Sequence, residues 1–163
     1  MIVVDANIIS YYFIRSEKTE LAESVWEKDP EWVVPVFWRL EFMNVVSKYC
    51  RFNGMTFDEA KTLFGDVLDS LSEKECHTNP ENVLELSVKK SVTVYDAEYV
   101  SLAKSLGIKL VTADSEILRK FPETAVSMED FTKDSGFMLV RDKGAVYGSK
   151  DKLAKKSREH QLK

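Results

Sequence analysis

The chain has 163 residues, of which 44% are apolar, and its formal net charge is −4. This length and composition suit one domain with one buried core. No apolar run approaches the roughly 20 residues that span a bilayer, which excludes an integral membrane helix. The N-terminus lacks a basic region followed by a long apolar stretch, and Cys50 and Cys76 lie in no metal-binding motif. We therefore expect no signal peptide and a cytoplasmic location with reduced thiols.

The first half of the chain begins with a short strand and continues mainly in helices. In chain order, the patterns predict a strand over 2–4, helices over 7–15 and 17–28, a strand over 32–34 and a helix over 36–52. The helices are inferred from apolar residues at 3- and 4-residue spacing. Asp29-Pro30 ends the second helix, and Pro35 ends the second strand. Asn53-Gly54 ends the long helix.

The second half of the chain contains the clearest strand. The patterns predict a helix from Thr56, a helix from Pro80, a helix over 96–106, a strand over 108–112, a short helix to 121 and an edge strand over 124–126. Residues 92–95 suit either a short strand or an extended lead-in to the helix that follows. Strands that alternate with helices predict an α/β fold with a central, mostly parallel sheet flanked by helices.

After residue 131 the apolar spacing typical of helices ends, and the last part of the chain is basic and poor in apolar residues. This change divides the chain into a domain over 1–131 and a C-terminal extension over 132–163. Residues 137–147 predict a hairpin. Residues 141–163 carry eight Lys or Arg and three Asp or Glu, a net of +5, which leaves −9 for residues 1–140. The basic tail suits an arm that binds phosphates, although the lysines taken alone favour a merely solvated segment.

Four acidic residues lie where an α/β enzyme would carry its active site. Asp5, Asp96 and Asp114 each follow a strand-like run, and Glu41 interrupts the apolar stretch of a predicted helix. The carboxyl ends of strands are where α/β folds place functional groups. Acids that converge repel one another, and a divalent metal is the usual way to hold them together. The pattern indicates an enzyme that cleaves phosphodiester bonds.

Asp5 and Glu41 each have a structural alternative. Asp5 suits the N-cap of the next helix as well as an active site, and Asn7 could take the capping role or orient Asp5. Glu41 borders the apolar face of its helix, where an unpaired carboxylate would be costly and its pKa would rise. A metal would offset that cost, and so would a basic partner such as Arg39 or Lys48.

The acids of the second half have similar alternatives. Asp96 suits an N-cap, which would be the better interpretation if this residue stood alone. Asp114 and Glu116 both suit the N-terminus of the short helix that follows. Thr112 could orient an acid or a water through its hydroxyl, or simply end the strand. The combination of acids favours a common site more than any one of them does.

Four segments together resemble the PIN domain family, and specifically its VapC-like toxin branch: VVDAN, the helix of Glu41, VYDAEYVSLA and LVTADSE. The resemblance covers roughly residues 1–130. Asp5, Glu41, Asp96 and Asp114 fall in order on the four acidic positions of that family. Many members end the last motif as Thr-x-Asp-x-Asp, whereas this chain has Glu116 as the final acid, with the same charge on a longer arm.

The resemblance implies a three-layer PIN-like fold, with residues 1–131 as a nuclease domain that cleaves RNA. Asp5, Asp96 and Asp114 would then hold Mg²⁺ or Mn²⁺, ions that prefer carboxylate oxygens. Glu41 would be a further ligand or would orient a water. The two histidines of the chain lie in no motif, so a histidine-based mechanism is not expected.

The resemblance also implies partners. VapC-like toxins commonly form homodimers and are neutralised by a small antitoxin protein that covers the acidic crevice, so we expect RNA, an antitoxin and a second copy as partners, and no membrane. Five aromatic residues are candidates for contact surfaces, namely Tyr11, Tyr12, Phe13, Trp26 and Trp38. Aromatic residues at helical spacing are more often part of a core.

Two other functions stay open at this point. An aspartate-based phosphohydrolase would have Asp-x-Asp after its first strand, but Asn7 occupies the second position here. A catalytically silent PIN scaffold would bind RNA or protein without cleaving it. All four acids are present, so the sequence shows no sign of such a loss.

Overall fold

The computed structural model describes residues 1–133. The hairpin predicted over 137–147 and the basic tail over 149–163 lie outside the described residues. These two predictions, and the domain boundary after residue 131, therefore stay predictions. Within the described residues no helix is both long enough and apolar enough to cross a bilayer.

A five-stranded sheet forms the centre of the described part. Its strands are β1 (Ile2–Val4), β2 (Trp32–Pro35), β3 (Glu75–Cys76), β4 (Leu110–Val111) and β5 (Ala125–Val126). The spatial order is β3-β2-β1-β4-β5, and all four strand pairs are parallel. Strands β2 and β3 follow one another on one side of β1, and β4 and β5 then follow on the other side. The crevice of such a sheet lies at the point of reversal, here between the carboxyl ends of β1 and β4.

Helices cover both faces of the sheet. They are α1 (Ala6–Phe13), α2 (Thr19–Lys28), α3 (Trp38–Phe52), α4 (Phe57–Leu71), α5 (Pro80–Lys90), α6 (Val94–Leu106), α7 (Ser115–Lys120) and α8 (Met128–Lys133). Side chains of a strand alternate between its two faces. Ile2 and Val4 accordingly pack into a core with α1 to α4 and α8, and Val3 packs into a second core with α5, α6 and α7. The predicted α/β, three-layer arrangement is confirmed.

Most predicted helices and strands are confirmed, with shifted ends. The capping box that opens α4 is present, because Thr56 and Glu59 bond reciprocally. Pro35 belongs to β2 and does not merely end it, since it pairs with Cys76 of β3. The strand predicted over 108–112 is only the two residues of β4, which pair with β1 and β5.

The interpretation of residues 92–95 as a strand is wrong. Helix α6 begins at Val94, because Thr93 is its N-cap and accepts a hydrogen bond from the backbone N–H of Asp96. Strand β3 and helix α8 were not predicted from the sequence. Each is short, and a strand of two residues has no alternating pattern by which it could be recognised.

One of the five aromatic residues proposed for contact surfaces belongs to the buried core, and the other four are partly buried and pack against it. Trp38 is fully buried. Tyr12 stacks on Trp26, with ring centroids 5.2 Å apart, and both rings meet the buried Trp32 edge-on. Offset-stacked and edge-to-face pairs of this kind stabilise a core beyond the area they bury. These rings therefore hold α1 and α2 against the sheet.

Candidate active site

An open cavity of about 220 Å³ lies at the carboxyl ends of β1 and β4. All four predicted acids and two of the three predicted supporting residues line it, namely Asp5, Asn7, Glu41, Asp96, Thr112 and Asp114. The exception is Glu116, which is exposed and whose carboxylate pairs with Lys120 at 2.6 Å. The fold thus brings together acids that are far apart in the sequence.

Asp5 is both a helix cap and part of the cavity wall. Its Oδ1 accepts the backbone N–H of Ile8 at 2.9 Å, and its Oδ2 accepts the hydroxyl of Thr112. Asn7 therefore does not replace it as the N-cap of α1. Burial raises the pKa of the Asp5 carboxyl above its ordinary value. The hydrogen bonds from Thr112 and Ile8 oppose this shift, and the nearby charge of Asp114 adds to it.

Glu41 lies half-buried in the first turn of α3, and its partner is a tyrosine. The hydroxyl of Tyr99 donates to Glu41 Oε2 at 2.6 Å. Arg39, one of the two basic partners proposed, binds a glutamate of β3 instead. Burial raises the pKa of the Glu41 carboxyl, the Tyr99 hydrogen bond lowers it, and the charges of Asp5 and Asp96 raise it further.

Asp96 lies in the first turn of α6, three residues after the N-cap Thr93. Its Oδ2 accepts the Thr93 hydroxyl at 2.6 Å, and its backbone N–H donates to the Thr93 oxygen at 3.1 Å. The interpretation of Asp96 as the N-cap is therefore wrong, because Thr93 already fills that position. The same bonds hold the Asp96 carboxylate at the edge of the cavity.

Asp114 is the N-cap of α7. Its Oδ1 accepts the backbone N–H groups of Glu116 at 2.7 Å and Ile117 at 3.0 Å. Its own backbone N–H donates to the hydroxyl oxygen of Thr112 at 3.0 Å. Thr112 therefore bridges Asp114 to Asp5, which is the orienting role that the sequence left open for it.

All four acids lie at the N-terminal ends of helices. Asp5 and Asp114 are N-caps, and Glu41 and Asp96 belong to first turns. The partial positive charge of a helix N-terminus stabilises carboxylates. The capping role and the active-site role are thus compatible, because the caps themselves deliver the acids to the cavity.

The donor set matches a hard divalent cation, but no ion site is preassembled. Within residues 1–133 no three acidic, histidine or cysteine side chains are close enough together to hold an ion. The second oxygens of three acids accept no hydrogen bond from the described residues, namely Glu41 Oε1, Asp96 Oδ1 and Asp114 Oδ2. Mg²⁺ and Mn²⁺ prefer such oxygen ligands. The residue types fit, and binding would require the side chains to move closer together.

Two further polar residues that line the cavity, Asn44 and Tyr99, were not predicted from the sequence, and Lys48 was predicted only as a partner of Glu41. Asn44 and Lys48 follow Glu41 at 3- and 7-residue spacing, which places all three on one face of α3. Tyr99 follows Asp96 by three residues on α6. Helical spacing from each predicted acid was the signal that could have identified these residues.

Comparison with known proteins identifies the family of the chain. The PIN domain family model matches residues 2–123. Ribonuclease VapC3 of Pyrobaculum aerophilum is 32% identical over 124 residues, which are 74% of this chain and 95% of that protein. A crystal structure of a Pyrobaculum aerophilum protein superimposes with a TM-score of 0.65 at 25% identity, covering 80% of this chain and 92% of that one.

Two more distant structures share the fold. One is a toxin–antitoxin complex from Klebsiella pneumoniae, with a TM-score of 0.60 at 17% identity, covering 78% of this chain and 98% of that one. The other is FitAcB from Neisseria gonorrhoeae, with a TM-score of 0.61 at 12% identity, covering 79% and 99%. The chain belongs to the PIN domain family, and within that family to the VapC-like branch.

Proposed function

We propose that this chain is a metal-dependent endoribonuclease that hydrolyses RNA phosphodiester bonds, and that it is the toxin of a toxin–antitoxin pair. The observation that carries the proposal is the convergence of four carboxylates from four helix N-termini on one open cavity. The relative named a ribonuclease supports RNA as the substrate. The toxin role is suggested by the similarity of the fold to a structure described as a toxin–antitoxin complex.

Asp5, Asp96 and Asp114 are the proposed ligands of Mg²⁺ or Mn²⁺. When bound, the ion supplies a nucleophilic water at neutral pH and stabilises the charge that develops on the phosphate. Thr112 supports this set, because its hydroxyl group bonds both Asp5 and the backbone of Asp114. Neutralising the carboxylates also relieves the repulsion that contributes to the raised pKa of Asp5.

Glu41 and Asn7 are proposed to orient the attacking water. Glu41 Oε1 accepts no hydrogen bond from the described residues, so it is available to a water in the cavity. Asn7 is exposed on the cavity wall and offers an amide donor and acceptor. Glu116 does not line the cavity. We propose that it supports the site only indirectly, because its negative charge in the first turn of α7 stabilises the N-terminus of that helix.

Lys48 is proposed to bind a phosphate of the RNA backbone. It is the one cationic side chain among the described residues that line the cavity, and it is exposed. An RNA strand that approaches four carboxylates is repelled by them, and a lysine at the rim reduces that repulsion. Lysine acts as a point charge toward phosphate and does not fix its geometry.

Cleavage of end-labelled mixed-sequence RNA tests the proposal. We expect cleavage by the wild-type chain with Mg²⁺ or Mn²⁺, none in EDTA, and none by Asp96→Asn. Asp69→Asn is the matched control, because Asp69 is exposed on α4 and does not line the cavity. Absence of both cleavage and Mn²⁺ binding in the wild-type chain would favour the silent scaffold, and a phosphoaspartate trapped on Asp5 would favour the phosphohydrolase.

The proposed partners are an antitoxin and a second copy of the chain. An antitoxin that covers the cavity must neutralise its acidic wall, so we expect it to present a basic side chain there. Addition of a short protein encoded beside this gene should abolish RNA cleavage. Light scattering of the purified chain should give the mass of a dimer, and the mass of a monomer would contradict the second proposal.

A further inference from the structure

Tyr99 is a buried polar group that the chemistry proposed above does not use. Only 4% of its surface is exposed, and its hydroxyl donates to Glu41 Oε2 at 2.6 Å. Its ring meets the Phe37 ring edge-on, with centroids 5.3 Å apart. Burial and the charges of Glu41 and Asp5 raise the pKa of the Tyr99 hydroxyl, and the backbone of Ala6, the residue after Asp5, lowers it. The phenol oxygen thus bonds one of the four acids and lies near a second.

Tyr99 also lies close in the sequence to a third acid, Asp96, on the same helix α6. Asp96 precedes it by three residues, so the two side chains lie on the same side of the helix. One helix therefore presents a carboxylate to the cavity and, one turn later, a hydroxyl to the Glu41 carboxylate of α3. The hydrogen bond occupies Oε2 and leaves Oε1 without a described donor.

We propose that Tyr99 is a positioning residue for the reaction, whose hydroxyl holds Glu41 with one oxygen directed to the cavity and the other bound to the phenol. The inference rests on the proposed function of the cavity. Without the hydroxyl, Glu41 can rotate and present both oxygens or neither. Groups that orient a ligand or a catalytic carboxylate typically contribute about 10- to 100-fold in activity or metal affinity.

The test compares Tyr99→Phe with Tyr95→Phe. Both variants delete one hydroxyl from α6, and both rings contact Phe37. The Tyr95 side chain is exposed, and its hydroxyl bonds to no described residue. We expect Tyr99→Phe to lower kcat by about 10- to 100-fold at unchanged KM and, because the water that Glu41 orients would be bound to the ion, to weaken Mn²⁺ binding by about 10-fold. Tyr95→Phe should match the wild type in both measurements.

A second comparison separates positioning from packing. In a Glu41→Gln background, Tyr99→Phe should cause no further loss of kcat, because the carboxylate that it positions is already absent. An equal loss in both backgrounds would overturn the proposal, and so would wild-type kcat and Mn²⁺ affinity in Tyr99→Phe. If the wild-type chain cleaved no RNA, the proposed function would fail. The role of Tyr99 would then be judged from Mn²⁺ binding: weaker binding by Tyr99→Phe would support a positioning role, and wild-type binding would overturn it.

Discussion

The double role of Asp5 predicts different stabilities for two substitutions that remove the same charge. Asp5→Ala removes the acceptor of the Ile8 N–H, which costs about 1 kcal/mol as a lost N-cap. It also leaves the buried Thr112 hydroxyl without its acceptor, which costs about 1 kcal/mol more. Asp5→Asn keeps an oxygen that accepts the Ile8 N–H, but its amide group donates and cannot accept the Thr112 hydroxyl, so the second cost is common to both substitutions. We therefore expect Asn to be more stable than Ala by about 1 kcal/mol, the value of the N-cap, or about 3 °C in Tm.

The comparison of Asp5→Asn with the wild type depends on pH. Burial and the charge of Asp114 raise the pKa of Asp5 above its ordinary 3.8. The folded chain therefore keeps a proton that the unfolded chain has already released. The contribution of Asp5 to wild-type stability falls as pH rises from 3.8 through the raised pKa and is constant above it. The Asn variant lacks this loss, so its stability relative to the wild type should increase across that window.

Urea denaturation in EDTA at pH 3.5, 5 and 7 measures both effects. Asp69→Asn is again the control, since Asp69 is exposed on α4 and its substitution should change the free energy of unfolding little at any pH. Equal stability of Asp5→Ala and Asp5→Asn would refute the capping argument. A difference between Asp5→Asn and the wild type that is the same at all three pH values would refute the argument from the buried charge.

Three further predictions concern charges outside the proposed metal ligands. Lys48→Met should weaken RNA binding in EDTA and reduce the slope of log affinity against log salt by about 1, while Lys61→Met, an exposed control on α4, should change neither. Glu75→Gln should destabilise the fold at neutral pH, because the hydrogen bond from Arg39 stabilises the Glu75 carboxylate and lowers its pKa. The difference in free energy of unfolding between the variant and the wild type should shrink as pH falls through that lowered pKa, and a difference that stayed constant would contradict this prediction. Deletion of residues 149–163 should leave the salt slope unchanged if the tail is merely solvated, and a lower slope would assign phosphate contacts to it.

The sheet and the acids that follow it could be predicted because their signals are local. Val-Val-Asp at the start of the chain marks a strand that ends in a functional group, and the run before Asp114 marks another. The parallel order of the strands then brings both ends to one crevice. Each of the four acids lines the cavity, and Asp5 and Asp114 are at the same time N-caps, so a cap and a place in the cavity are compatible.

The partners of these acids could not be predicted, because they depend on contacts between distant segments. Tyr99 has the spacing of a core aromatic, and only the packing of α6 against α3 shows that its hydroxyl reaches Glu41, 58 positions earlier. The start of α6 was misjudged for a local reason. Val92 to Tyr95 have β-branched and aromatic side chains typical of strands, but the Thr93 cap favours a helix.

The most direct test of the account measures cleavage of one RNA by four single variants at saturating Mg²⁺. If the four acids act as one centre, each single substitution should lower kcat by at least about 100-fold, whereas Asp69→Asn should not. The four variants are Asp5→Asn, Glu41→Gln, Asp96→Asn and Asp114→Asn. Thermal melts of each variant verify that the fold is intact. Full activity in any one of the four variants, with the others inactive, would remove that residue from the centre, and full activity in all four would contradict the account.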